Sequence, residues 1–486
     1  MKHVILGAGP AGVIAAETIR KHAPNDTVTL VGDEPEAPYS RMAIPYLLIG
    51  NIQEPGTHLR HSADHFSAQR IDVLRGVRAK AINTTAQTVS LSDGRVLPYD
   101  RLLIATGSSP ASPPIAGINS PGVHSCWTLA DARAIMALAR PGAKVVQMGA
   151  GFIGCIIMEA LAMRGVELSV VEMGDRMVPR MMGPTAGGMI KDWCERKGVK
   201  VYTGARVESI GQGGATAGSS GSAGHAASGS AGAGADSEPG LLGKIASLLG
   251  FGSSPSPAAA PASASPSGSA SSTTGGAPAL TVRLSTGQTL QADLVISATG
   301  VKPNIGFLEN SGIRCLVGVL TDEHLQTNVP GVYAAGDCAE AFDKVSGTTI
   351  VSAIQPNAAE QARVAALNMV GQRTELKGVT QINVLDTLGL ISASFGQWQG
   401  VSGGEHVELT DRQSDRHLSL QFSGDRLIGC NSIGWTEHVG VMRGLVEGQV
   451  SLGPWKESLL RDPTRLMEAY LDRAQGAASR SLVKAG

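Results

Sequence analysis

Apolar and polar positions follow two rhythms along this chain. Short apolar runs at Val4–Leu6, Val28–Val31, Lys144–Met148 and Leu168–Val171 read as buried strands. Between them, Ala11–Lys21 and Ile153–Arg164 carry apolar residues at helical spacing. Strand, helix and strand in that order imply a parallel sheet with helices on its faces. The unit occurs twice, which predicts an α/β fold with two such domains. From about Leu376 the pattern changes to short strands at Gln381–Leu385, His417–Phe422 and Arg426–Asn431, joined by Gly-Asp turns. Helical stretches follow at Glu437–Glu447 and Ser458–Tyr470, so the last region reads as α+β.

One tract breaks the rhythm. Between Gly211 and Leu280, Gly, Ala, Ser, Pro and Thr supply 58 of 70 residues. So little apolar surface cannot offset the entropy of ordering, and the tract reads as a disordered insertion. Val201–Val207 before it and Leu280–Leu284 after it look like two strands with a swollen connection, which costs little because closure entropy grows only logarithmically. Within it, Leu241, Leu242, Ile245, Leu248 and Leu249 fall at helical spacing, with Phe251 following. Residues 240–251 read either as a transient linker helix or as a weak docking or membrane-contacting helix.

Each strand–helix junction carries a glycine fingerprint. The first is Gly7-Ala8-Gly9-Pro10-Ala11-Gly12, the second Gly149-Ala150-Gly151-Phe152-Ile153-Gly154. In such a turn the first glycine bends the chain, the second admits a pyrophosphate, and the third packs helix on strand. The helix N-terminus then offers free N–H groups to the phosphates. Two copies, each in the right context, predict two Rossmann-like dinucleotide sites. An acid at the end of the second strand should bind the adenosine ribose. Asp33 or Glu34 serves the first unit and Glu172 the second. A carboxylate at Glu172 repels a 2′-phosphate, so NADH is expected ahead of NADPH, with nearby Arg176 as the opposing feature.

Composition narrows the class. The chain has 486 residues with 40 Lys+Arg against 41 Asp+Glu and no basic stripe, which argues against nucleic acid as a partner. Cys126, Cys155, Cys194, Cys315, Cys338 and Cys430 lie far apart, so a metal cluster, a disulfide scaffold and a local redox pair are not expected. A reducing, cytoplasmic setting fits. Lys2 followed by Val4–Ala16 mimics a leader peptide, but the spaced glycines point to a strand and helix. No segment reaches the length of a membrane span.

These motifs resemble the FAD-dependent pyridine nucleotide-disulfide oxidoreductases, in the branch with ferredoxin and rubredoxin reductases, NADH oxidases, the nitrite reductase FAD module and apoptosis-inducing factor. The likeness rests also on Ala105-Thr106-Gly107, on Ala298-Thr299-Gly300 and on Thr327-Asn-Val-Pro-Gly-Val-Tyr-Ala334-Ala335-Gly336-Asp337. It implies an FAD domain (1–110 and 306–374) interrupted by an NAD domain (111–305), with a C-terminal interface domain (375–486) that makes a homodimer. It further implies that Asp337 holds the ribityl chain, that the next helix faces the flavin, that Arg41 binds pyrophosphate, and that the Ala79 backbone contacts adenine. Trp435, Thr436, Glu437 and His438 are where some members reach a partner's active site, although a packed helix start explains them as well.

Two departures bear on chemistry. Met42 occupies the place of the single redox cysteine, and a thioether forms neither thiolate nor mixed disulfide. Tyr46 and Ile156 stand where the ferredoxin-reductase branch has a lysine–glutamate pair beside the flavin; losing both leaves no unpaired charge. Cys155 and Cys338 border ligand motifs but read as packing residues. The expected activity is transfer of hydride from NADH to FAD and of electrons onward to a redox protein, a partner subunit, a quinone or oxygen. The alternatives are a redox-switched binding protein and, less favoured, a thiol or persulfide reductase.

Overall fold

The computed structural model describes residues 1–212 and 280–473. Two five-stranded parallel sheets dominate. In the first, the strands run Val332–Ala334, Arg101–Ile104, Lys2–Leu6, Thr27–Val31 and Ile71–Leu74, all parallel. In the second they run Lys200–Thr203, Glu167–Glu172, Lys144–Met148, Leu294–Ser297 and Val123–His124, again parallel. In each sheet the fingerprint strand lies at the centre, so its turn opens at the carboxyl edge where such sheets bind ligands. Strands Lys2–Leu6 and Lys144–Met148 are buried but for their first residues, as central parallel strands must be.

Each domain also carries a three-stranded antiparallel sheet. It is Ala79–Asn83, Thr88–Leu91 and Val96–Pro98 in the first, and Val207–Gln212, Leu280–Leu284 and Thr289–Ala292 in the second. The strand that pairs with Leu280–Leu284 is therefore Val207–Gln212, with Gln212 opposite Leu280. Lys200–Thr203 belongs to the parallel sheet instead, because Gly204 (φ +65°) turns the chain between them. The biased tract thus begins and ends inside a hairpin; its remainder, including the apolar stretch 240–251, lies outside the described residues.

The chain crosses between the two domains twice, and the crossings pair with each other. Ser108–Pro110 runs antiparallel to Val301–Pro303. Beside it, the Thr106 hydroxyl donates to Asn304 O (2.8 Å) and the Asn304 amide donates to Thr106 O (3.0 Å). Arg164, at the end of helix Phe152–Met163, donates to Leu48 O, Met136 O and Ala139 O, fastening three segments at once.

The C-terminal region is a five-stranded antiparallel sheet in the order Ile382–Thr387, Leu390–Gly396, Arg426–Ile433, Arg416–Ser423, Glu405–Asp411. Helix Val439–Glu447 covers one face through Val441, Met442, Leu445 and Val446 against Phe395, Leu420 and Phe422. The helix expected at Ser458–Tyr470 is broken. Trp455–Arg461 stops at Asp462, whose carboxylate caps Thr464 N as Pro463 starts a new turn. The sheet docks on the second domain through Trp193 Nε1 to Leu388 O (3.2 Å) and Arg196 to Asp415 (2.6 Å). Among the described residues no helix is long and apolar enough to cross a membrane.

Candidate functional site

The first fingerprint turn is built by exclusion. Gly7 adopts φ +118°, and a Cβ there would lie 2.0 Å from Ala105 O; one on Gly12 would lie 1.8 Å from Gly7 O. Gly9 has nothing within 4 Å of that position, so this side of the turn is open. Gly9 also caps helix Pro10–His22 without any side chain, which leaves the first-turn N–H groups free. The opening leads into a cleft of about 230 Å³.

Several stretches of chain wall the cleft, Cys126–Trp127 and Ala353–Ala358 among them. Gly7–Ala11, Gly32–Pro45, Ala105–Ser108 and Gly336–Asp337 come from the first domain, while Phe152, Ile153, Ile156 and Ile157 come from the second. Glu34 is tied down by Tyr39 OH (2.6 Å) and an Arg41 nitrogen (2.7 Å), and burial pushes its carboxyl above the usual range. Asp33 pairs with Arg78 (2.8 Å) at the rim. The Arg41 guanidinium stacks over Tyr39 (5.8 Å) and Trp127 (5.3 Å), and its Nε is buried with no partner. Asp337 accepts from Ser108 Oγ (2.8 Å), and burial raises its carboxyl too. Helix Gln355–Met369 aims its uncapped N-terminus here, with Gln355 and Ala358 on the wall. Free N–H groups, an orphaned guanidinium nitrogen and an apolar remainder fit a dinucleotide carrying an aromatic ring system, as FAD does.

The second fingerprint repeats the geometry. Gly149 has φ +95°, with a Cβ 2.4 Å from Ala298 O, and Gly151 is again open. Glu172 is almost fully buried, and its two oxygens accept from Ala150 N and Gly174 N, both at 2.7 Å. Arg176 is engaged elsewhere, donating to Met182 O (2.9 Å) and pairing with Asp175 (2.7 Å). Gly300 (φ +105°) returns the chain toward the crossing, where Ala111 N donates to its carbonyl (2.8 Å).

The sequence-derived residues sort cleanly by place. The first-fingerprint residues Gly7, Gly9, Pro10 and Ala11 line the cleft, as do Asp33, Glu34, Arg41, Ala105, Thr106, Gly107, Gly336 and Asp337. Phe152 and Ile153, assigned to the second nucleotide by spacing, face this same cleft, at the boundary between the two sites. Ile156 lines it, whereas Tyr46 is buried without lining it, and Ala79 is buried at the start of its strand. Met42 is on the wall and half exposed. Sequence reasoning missed Trp127, Gln355 and Cys126. Only tertiary contact brings them in, and no local motif marks them. Burial pushes the Cys126 thiol up to about 12, aided by Asp131, so it stays a thiol. All six cysteines are free, with Cys155 and Cys338 buried and shifted upward by burial as well.

The family model for pyridine nucleotide-disulphide oxidoreductases matches residues 1–244 and 267–366. The NADH-dependent phenylglyoxylate dehydrogenase subunit epsilon of Aromatoleum evansii is 28% identical over 465 residues, covering 95% of each chain. Rhodocoxin reductase of Rhodococcus erythropolis is 27% identical over 457 residues, covering 93% of this chain and 91% of its own. Among solved structures, the covalent putidaredoxin reductase–putidaredoxin complex has a TM-score of 0.77 at 22% identity, over 97% of this chain and 99% of that one. That likeness concerns the fold.

Proposed function

This chain belongs to the pyridine nucleotide-disulphide oxidoreductase family, and from that membership we propose that it draws electrons from NADH for a redox protein or partner subunit. It is an FAD-dependent NADH oxidoreductase. FAD, when bound, accepts hydride from the nicotinamide and releases electrons onward. The protein's part is to bind, orient and shield. Gly9 and the free N–H groups of helix Pro10–His22 would receive the pyrophosphate, with Arg41 beside them. Asp337, already accepting from Ser108 Oγ, would hold the ribityl hydroxyls. Phe152, Ile153 and Ile156 form an apolar wall that would exclude water from a bound ring system. Glu172 disfavours a 2′-phosphate, and Arg176, already bonded to Met182 O and Asp175, does little to attract one.

The observation that carries the acceptor assignment is Met42, half exposed on the cleft wall where thiol-using relatives place a cysteine. With Met42 inert and Cys126 held as a thiol, no sulfur relay stands between cleft and acceptor. A cofactor held in the cleft would then supply electrons to the acceptor without a protein sulfur between them. The names of the relatives support a protein acceptor, since one is a reductase of rhodocoxin and another a subunit of a larger dehydrogenase. A homodimer through the C-terminal sheet and a reducing cytoplasmic setting, which the free thiols suit, complete the proposal. The test is anaerobic reduction by NADH in stopped flow, then reoxidation by an iron–sulfur protein, by dissolved oxygen or by an aromatic disulfide. Fastest reoxidation by the iron–sulfur protein is expected. Turnover with oxygen alone would overturn the acceptor assignment, and a single-chain particle in sedimentation would remove the dimer.

A further inference from the structure

The loop that follows Glu172 is gripped from another domain. It runs from Met173 to Gly183, between strand Glu167–Glu172 and helix Pro184–Arg196. At its centre Val178 holds φ +48°, a left-handed conformation that a β-branched residue adopts only when its surroundings impose it. Val178 N donates to Ala150 O (2.8 Å), while Met181 N and Met182 N both return to Val178 O (2.8 and 2.9 Å). Ala150 is the middle of the Gly149-Ala150-Gly151 turn, and its own N–H goes to Glu172. The phosphate-facing turn is thus held on one side by the ribose acid and on the other by the strained valine.

The far end of this loop is fixed by Asn431, on strand Arg426–Ile433 of the C-terminal sheet. Its Nδ2 donates to Met181 O (3.0 Å), and its Oδ1 accepts from Gly183 N (2.9 Å). The side chain is 2% exposed. Donor meets carbonyl and acceptor meets N–H, so the reversed amide would leave both bonds unmade. An ionised aspartate of the same size would accept from Gly183 N but could not donate to Met181 O.

We propose that Asn431 is a positioning residue for NADH, acting through the loop rather than on the nucleotide. By clamping Met181 and Gly183 it keeps Val178 in its strained conformation and so keeps Ala150, and the turn that receives the pyrophosphate, in place. Nucleotide affinity then depends on the docking of the C-terminal domain. The inference rests on the reading that the second fingerprint binds NADH.

The experiment uses the full-length FAD-loaded protein and three readouts: NAD⁺ affinity by calorimetry, the limiting rate of flavin reduction at saturating NADH, and FAD content. Asn431→Leu removes both bonds; Asn431→Ser also removes them but lets water reach the freed backbone groups, and serves if the leucine variant fails to fold. Affinity should fall by about ten-fold, the scale of one net hydrogen bond or slightly more. The limiting rate and FAD content should stay within two-fold of the parent, by the same reasoning that binding and chemistry are separate here. Ser394→Ala is the control, since Ser394 pairs with Asn431 across the sheet and is equally buried. Unchanged affinity in a folded Asn431 variant would overturn the proposal, and so would an equal loss in Ser394→Ala. Failure of the parent protein to bind NAD⁺ would instead strike at the reading of the second fingerprint.

Discussion

The two fingerprint units have almost the same backbone and different fates. Their turns share left-handed first glycines, open second glycines and third glycines jammed against the first: a Cβ on Gly12 or Gly154 would lie 1.8 or 2.5 Å from the carbonyl of Gly7 or Gly149. Ten residues after the first glycine, both helices place a glutamate. Glu17 meets Arg60 (Nε to Oε1, 2.6 Å) and His65 (2.8 Å) near the surface. Glu159 is buried, and its Oε2 has no partner. The difference comes from what packs on each helix. Helix Pro10–His22 ends in Arg20, Lys21 and His22 and keeps one side toward solvent. Helix Phe152–Met163 lies between helix Ile44–Ile49 and strand Ile382–Thr387, so the same position is sealed from water beside Tyr46 and Asp386. A repeated unit therefore inherits its geometry from sequence and its chemistry from its neighbours.

The largest effects should come from breaking each turn separately. In Gly12→Val the new side chain collides with backbone that cannot move aside, and the purified protein should be colourless. Gly154→Val should remain yellow yet fail to bleach with NADH under anaerobic conditions. Flavin absorbance before and after NADH distinguishes the two; flavin retained in Gly12→Val would undo the assignment of the first site.

Next in size is the sealed glutamate. Burial, with the Asp386 charge adding to it, pushes the Glu159 carboxyl up to about 8. The native state then holds a proton that the unfolded chain releases near the ordinary value of 4.5. Stability should fall as pH rises between those two values, at about 1.4 kcal/mol for each pH unit of displacement. Glu159→Gln should flatten that slope, matching the parent near pH 4.5 and exceeding it in melting temperature at alkaline pH. Parallel melting curves across that window would show that the carboxyl is not sealed.

A smaller effect is expected at Glu172. Glu172→Gln should reduce the preference for NADH over NADPH by roughly 1.5–3 kcal/mol, the range of a hydrogen bond to a charged group. Arg176→Ala should leave that preference nearly unaltered, because the guanidinium is already bonded within the loop. Steady-state kcat/KM with both nucleotides measures this, and a large shift in Arg176→Ala would reverse the roles.

The smallest effect belongs to the tract between the hairpin strands. Gln212 and Leu280 are directly paired, so residues 213–279 leave and re-enter the fold at one point. Replacing them with a two-residue Asn-Gly turn should leave flavin content and NADH reduction unchanged. Loss of flavin on deletion would mean that the tract takes part in the site.

Much of this was legible in the chain because fingerprints are local. A strand, three spaced glycines and a helix fix the turn without help from elsewhere, and the acids follow at a set distance. The strands of the C-terminal sheet were read in part. Leu390–Gly396 is buried on nearly every residue and Glu405–Asp411 exposed on nearly every one, so neither shows the alternation by which strands are recognised. Gln355 reaches the cleft by meeting Ser40, 315 residues away, and no spacing rule covers that distance. Glu159 lay in plain sight, one helical turn beyond Ile156, but its isolation is a property of three domains meeting.

The burial of the cysteines gives the protein a built-in gauge of its own opening. Five of the six thiols are buried, Cys126 on the cleft wall, and Cys315 is partly accessible. Reactivity toward an electrophile follows thiolate character and access, so the folded chain should take up label slowly and mainly at Cys315. Cys338 lies in the first core, Cys155 and Cys194 in the second and Cys430 in the C-terminal one. Which thiol becomes labelled first, under heat or denaturant, identifies the domain that comes apart first.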